Sequence, residues 1–185
     1  MGKIVNSTFI SLDGVINHMD KWHFAFVDDE SNAIALEQLR AASGGLLMGR
    51  KTYEVYASAW PGRDDEYAAI INAAPKYVAS TTLKAPEWAN TTVIAGDVVN
   101  EVAKLKAGAG DLLMHGYGPV AKELTRHGLL DEIQLWVHPM LAGVGGIEDT
   151  LLAEGLTRRL KLLGVRQLAS GVVLVSYNTA AAGED

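Results

Sequence analysis

Residues 111–128 read DLLMHGYGPVAKELTRHG, and the order of residue types in this stretch decides the architecture. Leu112, Leu113 and Met114 form an apolar run too short for a helix and suited to a strand buried on both faces. Gly116 and Gly118 permit a tight turn. Pro119 then falls at the first position of a helix, where a missing N–H costs nothing, and Gly128 ends that helix. A strand, a glycine turn and a helix in succession are the unit of a parallel α/β sheet. Gly116-Tyr117-Gly118-Pro119-Val120-Ala121 also matches GxGxxA, whose free N–H groups at the helix start suit a pyrophosphate. An ordinary strand-to-helix turn is the competing reading. A standard Rossmann domain is disfavoured, because that fingerprint follows the first strand and this turn comes past mid-chain.

Working toward the C-terminus, Glu132 to Val137 (EIQLWV) alternates as a strand, with Ile133, Leu135 and Val137 on one side. Leu160 to Leu168 and Val172 to Tyr177 read as an antiparallel hairpin turned at Ala169-Ser170-Gly171. Working toward the N-terminus, Gly44 to Thr52 (GGLLMGRKT) is a near miss for a phosphate-binding P-loop. Arg50 stands between Gly49 and Lys51, and Leu46 to Met48 suit a core strand better than an exposed cradle. The helix start at Gly49-Arg50-Lys51-Thr52 is nevertheless a candidate anion site, against a plain solvated helix face. Lys76 to Ser80 (KYVAS) is a further strand, followed by the polar turn Ser80-Thr81-Thr82. Three such turns at the ends of successive strands point to a nucleotide across the carboxyl edge of one sheet.

The rest fits the same pattern. Lys3 to Ile10 is a first strand, Ser11 to Val27 a loop, and Asp28 to Ala42 a helix with Ala35, Leu36, Leu39 and Ala42 on one face. The expected fold class is α/β: a mixed, mostly parallel sheet, helices on both faces and a C-terminal antiparallel hairpin. Nothing marks an internal boundary, so residues 1–178 are read as one domain and 179–185 as a flexible tail.

The 185 residues are 49% hydrophobic and 21% charged, enough to build a core. Lys plus Arg number 16 against 22 Asp plus Glu, a net charge of −6 without a basic tract, which argues against a nucleic-acid partner. With no cysteine there is no disulfide, thiolate nucleophile or cysteine-ligated metal. The five histidines show no metal-ligand spacing, and His138, before Pro139, reads as a strand-end residue. No apolar run is long enough to span a membrane and no secretory leader is evident, so a cytoplasmic location is expected.

SLDG at 11–14, LLMGRKTYE at 46–54, KYVASTTL at 76–83, DLLMHGYGPVAKEL at 111–124 and GLLDEIQLWVHPMLAGVGG at 128–146 carry a resemblance. From Lys3 to Tyr177 the chain resembles the dihydrofolate-reductase-like superfamily. It is most similar to the reductase domain of the bifunctional riboflavin-biosynthesis deaminase/reductase and its stand-alone bacterial relatives. The resemblance implies an NADPH-dependent reductase of a pterin or ribosylaminopyrimidine, usually a homodimer, with NADPH as cofactor and no metal. It places Gly49, Arg50, Lys51 and Thr52 at cofactor phosphates and Ser80, Thr81 and Thr82 near the adenosine 2′-phosphate, with Lys76 or Lys84 as a further cation. Gly116, Tyr117, Gly118, Pro119 and Val120 would cradle the pyrophosphate. Asp13 and Gly14 would line the nicotinamide and substrate side. WHFAFVD at 22–28 is loosely similar to the tryptophan loop and helical acid of dihydrofolate reductases, which makes Trp22 a stacking candidate and Asp28 the acid that engages the ring. Helix capping by Asp28 and a simple Asp13-Gly14 turn are the competing readings. Tyr117-Gly118 replaces a frequent serine, IEDTLLAEG at 147–155 departs from the basic-Leu-Phe pattern, and no zinc deaminase domain is expected within these 185 cysteine-free residues. A nucleotide-binding sensor or dimeric scaffold without turnover is the alternative function.

Overall fold

Each short apolar run is a strand, and each amphipathic stretch between them packs a helix onto the strands. The structure, a computed structural model, describes residues 1–108 and 110–179. The strands are β1 (Ile4–Ile10), β2 (Gly45–Gly49), β3 (Lys76–Ala79), β4 (Thr91–Ile94), β5 (Leu112–His115), β6 (Glu132–Val137), β7 (Lys161–Gln167) and β8 (Val173–Asn178). They form one 8-stranded sheet in the order β4-β3-β2-β5-β1-β6-β8-β7. The pairs from β4 to β6 are parallel, whereas β6–β8 and β7–β8 are antiparallel. The expected fold class therefore stands, terminal hairpin included.

Strand alternation divides the core. Ile4, Leu47, Leu112, Met114 and Ile133 face α5 (Val98–Gly108) and α6 (Pro119–Arg126), meeting Val102 and Leu124. Leu46, Met48, Val78 and Leu113 face the other way, toward α2 (Asp29–Ala41), α3 (Arg50–Ala59) and α4 (Glu66–Ala73). Beside them Ile34 of α2 packs with Trp136, Leu168, Val172 and Leu174. Thus α2 buries Ile34 and Leu39, while Ala35, Leu36 and Ala42 of the expected face are only half-buried.

Two further boundaries are corrected. The loop from Ser11 to Val27 contains a short helix, α1 (Met19–Trp22), and a 3-10 turn at Phe24–Phe26. Thr179, expected to open a flexible tail, is fully buried: its N–H donates to Asp131 O and its hydroxyl to Leu130 O. The remainder of that expected tail, 180–185, lies outside the described residues.

Lys106 of α5 is 6% exposed and donates to an Asp131 carboxylate oxygen at 2.6 Å and to Leu129 O at 2.9 Å. Asp131 also accepts from Ile4 N at 2.7 Å, joining helix, β1 and the start of β6. Asp131→Ala leaves a buried ammonium unpaired and should cost about 3–5 kcal/mol, read as a lower denaturant midpoint. A midpoint unchanged by the substitution would contradict this.

Candidate active site

In a parallel sheet the carboxyl ends of the strands open onto loops and helix starts, so ligands collect along that edge. β3, β2 and β5 are consecutive neighbours. The turns Ser80 to Thr82, Gly49 to Thr52 and Gly116 to Val120 therefore lie side by side on one edge. The Arg50 guanidinium donates to Thr82 Oγ1 at 2.6 Å, tying the first two together. A Cβ on Gly49 would meet Val120 Cγ2 at 3.4 Å, so the second and third also touch.

Helix capping distinguishes these turns from the others. Asp28, Asp65 and Asp97 accept the N–H groups of Ser31, Ala68 and Asn100 at 2.8, 2.9 and 3.1 Å, capping α2, α4 and α5. α3 and α6 begin instead at Gly49 and Gly118, where no side chain supplies a cap. Their first-turn N–H groups remain for an anion, and both helix dipoles favour one.

Ser80 Oγ accepts from Thr82 N at 3.2 Å and Leu83 N at 3.0 Å, so it shapes its turn, leaving Thr81 and Thr82 exposed. The Tyr117 ring is 4% exposed, and its hydroxyl donates to Thr125 Oγ1 at 2.9 Å inside the core. Only the backbone of Tyr117 is left for the rim. Lys76 is corrected as a partner for cofactor phosphate. It opens β3 at the opposite edge, is fully buried, and donates to the carbonyls of Asn72, Ala74 and Ala89 at 2.8, 2.8 and 3.1 Å. Lys84 remains exposed.

The ends of β1 and β6 make the other half of the rim. Asp13 accepts from Ser11 Oγ at 2.5 Å, Ala142 N at 2.9 Å and Gly143 N at 2.8 Å, stapling the loop after β1 to the loop after β6. These donors, the serine first, hold its pKa down to about 2. Gly14 follows at φ +85°, a conformation that favours glycine. Asp28 forms a capping box with Ser31, donating its own N–H to Ser31 Oγ at 2.9 Å. Trp22 is buried, gives its indole N–H to Asn17 O at 2.9 Å, and sets its ring edge-on to His138 at 5.0 Å.

The structure brings His23, a candidate proton source in the loop before α2, against His138, which the sequence reading left as a strand-end residue. His23 Nδ1 lies 3.0 Å from His138 Nε2, and His138 Nδ1 lies 2.8 Å from Trp136 O. Phe9 stacks on His23 at 4.0 Å. Burial, with His138 beside it, lowers the His23 pKa to about 4. Burial also lowers His138, and lowers His115, at the end of β5 beside Tyr56, to about 4. His23 and His138 are 115 residues apart, so no local motif could join them.

Sheet order, the parallel edge and the terminal antiparallel hairpin define a dihydrofolate-reductase-like fold. The family model described as RibD C-terminal domain matches residues 2–174, and the chain belongs to that family. YyaP of Bacillus subtilis (strain 168), an uncharacterized protein, is 30% identical over 141 residues, 72% of each chain. A putative riboflavin biosynthesis protein of Shewanella sp. PV-4 superposes with TM-score 0.73 at 22% identity, covering 95% of this chain and 98% of that one. The Thermotoga maritima diaminohydroxyphosphoribosylaminopyrimidine deaminase/5-amino-6-(5-phosphoribosylamino)uracil reductase gives TM-score 0.66 at 16% identity. That match covers 96% of this chain and 56% of the longer enzyme. At these identities the two solved structures establish the fold. Among the described residues no helix is long and apolar enough to cross a membrane.

Proposed function

We propose that the protein is a cytoplasmic, homodimeric, NADPH-dependent reductase of a small heterocycle of pterin or ribosylaminopyrimidine type. The adjacent uncapped starts of α3 and α6 carry this reading, since they offer two sets of free N–H groups to a diphosphate. Arg50, Lys51 and Thr52 line one, Gly116 to Val120 the other, and the exposed hydroxyls of Thr81 and Thr82 stand where a 2′-phosphate would lie. Bound there, the nicotinamide supplies a hydride to the substrate. On the substrate side Gly14 and the Asp13 staple shape the loop, the buried Trp22 backs His138 from within the fold, and Asp28 offers the carboxylate oxygen that its cap leaves over.

Fluorescence titration with NADPH should show saturable binding. Arg50→Ala should weaken it about tenfold by removing a charge-assisted contact, and absence of NADPH binding to the native protein would end the reading. Asp13 and Asp28 both make structural hydrogen bonds, which favours the second reading, a nucleotide-binding sensor or scaffold without turnover. Substrate-dependent NADPH oxidation separates the two: an enzyme shows it and loses it in Asp28→Asn with NADPH binding retained.

The homodimer is supported by β7, an edge strand whose residues are all exposed. Leu162, Leu163 and Val165 are 53%, 51% and 61% exposed, an apolar edge suited to a second copy. Sedimentation as a 19.8 kDa species would refute it.

A further inference from the structure

The rim is divided electrically. Its cofactor half carries Arg50, paired with Glu54 at 2.6 Å, together with Lys51 and Lys84. On the substrate half, residues 11–30 and 138–152 hold seven carboxylates and one lysine, Lys21, whose Nζ lies 3.5 Å from Asp20. Arg166, reaching this side from β7, is paired with Glu30 at 3.1 Å. The cations that reach this half among the described residues are Lys21 and Arg166, each beside a carboxylate, and Lys122 of α6, whose Nζ donates to Thr150 O at 3.2 Å. The seven carboxylates outnumber them and repel a phosphate dianion.

The histidine pair supplies the complementary polar feature. A carbonyl oxygen only accepts, so the contact with Trp136 O puts the neutral ring's hydrogen on His138 Nδ1. His138 Nε2 is then an acceptor and receives the hydrogen on His23 Nδ1. That assignment leaves His23 Nε2 as an acceptor. Phe9, Phe26 and Trp136 wall the adjoining cavity, which His23 and His138 also line. The cavity's volume is about 60 Å³.

We propose that the substrate half of the rim takes a planar heterocycle without an anionic substituent, held by an N–H donated to His23 Nε2, with His138 as the positioning residue. This rests on the reductase reading for where the substrate lies, and it narrows that reading's substrate class. A phosphoribosylated aminopyrimidine, of the kind named for the Thermotoga maritima enzyme, falls outside it.

The test uses the full chain saturated with NADPH and two ligands differing by one group: a ribosylaminopyrimidine and its 5′-phosphate, compared by calorimetry at neutral pH. The phosphate-free ligand should bind at least about tenfold tighter. Equal or tighter binding of the phosphate ester overturns the proposal, as does failure of both ligands to bind. Failure of NADPH to bind would count against the reductase reading instead, and the two ligands are then compared without it. His23→Phe should weaken the phosphate-free ligand about tenfold, and undiminished affinity overturns the anchoring role. Nitrogen-15 chemical shifts need no ligand: His23 should show its hydrogen on Nδ1, and His138→Leu should shift it toward a mixture of tautomers. A native His23 protonated on Nε2 would overturn the assignment.

Discussion

Gly45→Val is expected to abolish folding. Gly45 opens β2 at φ +100°, and a Cβ built there would lie 2.2 Å from Pro75 O and 3.0 Å from Pro75 C, both backbone atoms. The chain cannot back away, because Leu46 N donates to that same carbonyl at 2.9 Å and Gly45 N donates to Ala42 O at 2.9 Å. β2 lies between β3 and β5 and carries Leu46, Leu47 and Met48, each no more than 2% exposed. Moving it separates both halves of the core. The left-handed backbone alone costs a branched residue about 1–2 kcal/mol, and the clash with backbone should bring the loss above about 5 kcal/mol, the lower end of a domain's whole stability. Gly62→Ala is the control: its φ is +82°, but nothing lies within 4 Å of the added Cβ, so only the conformational cost applies. Circular dichroism and thermal melts should show Gly62→Ala folded and Gly45→Val insoluble or unfolded. A native-like melt for Gly45→Val would refute the close approach to Pro75.

Acidification should destabilise the protein between pH 6.5 and 4. The unfolded chain's histidines take a proton near 6.5, whereas in the fold burial holds His23 and His115 to about 4 and lowers His138 as well. Within that window the unfolded chain binds more protons, so each step down in pH favours it. The contribution is fully present above 6.5 and is lost as pH falls through 4. After discounting for solvent at partly exposed rings, it is on the order of 2 kcal/mol for each of the two most shifted histidines. The stapling carboxylates act lower. Asp13, and Asp149, which accepts from Asn17 Nδ2 at 2.8 Å and Gly146 N at 3.1 Å, are held at about 2 by these donors and give support that is present above 3.8 and lost as pH falls through about 2. Urea midpoints measured from pH 7 to 4.5 should therefore fall, and His23→Phe should flatten the slope. A flat profile for the native protein would mean that these rings accept protons without cost.

The parallel α/β class, the terminal hairpin and the position of the three turns at strand ends were legible because each rests on local chemistry. Leu112-Leu113-Met114 followed by Gly116 and Pro119 can do little other than run as a strand, turn and start a helix. Asp28 illustrates the limit of such reading: capping and ring recognition use the same carboxylate, and only coordinates reveal the reciprocal bond with Ser31. Lys76 illustrates it again, since the sequence places it beside Ser80 while strand direction sends the two to opposite edges.

Local order along the chain thus determined which segments are strands and helices and where the turns between them fall, because glycine, proline and apolar spacing act over a few residues. Tertiary structure alone decided that Asp13 staples two loops, that Tyr117 turns its ring inward, and that His23 meets His138. Those outcomes depend on which strands become neighbours, and that is set by burying both faces of the sheet at once, a constraint no short window of sequence contains.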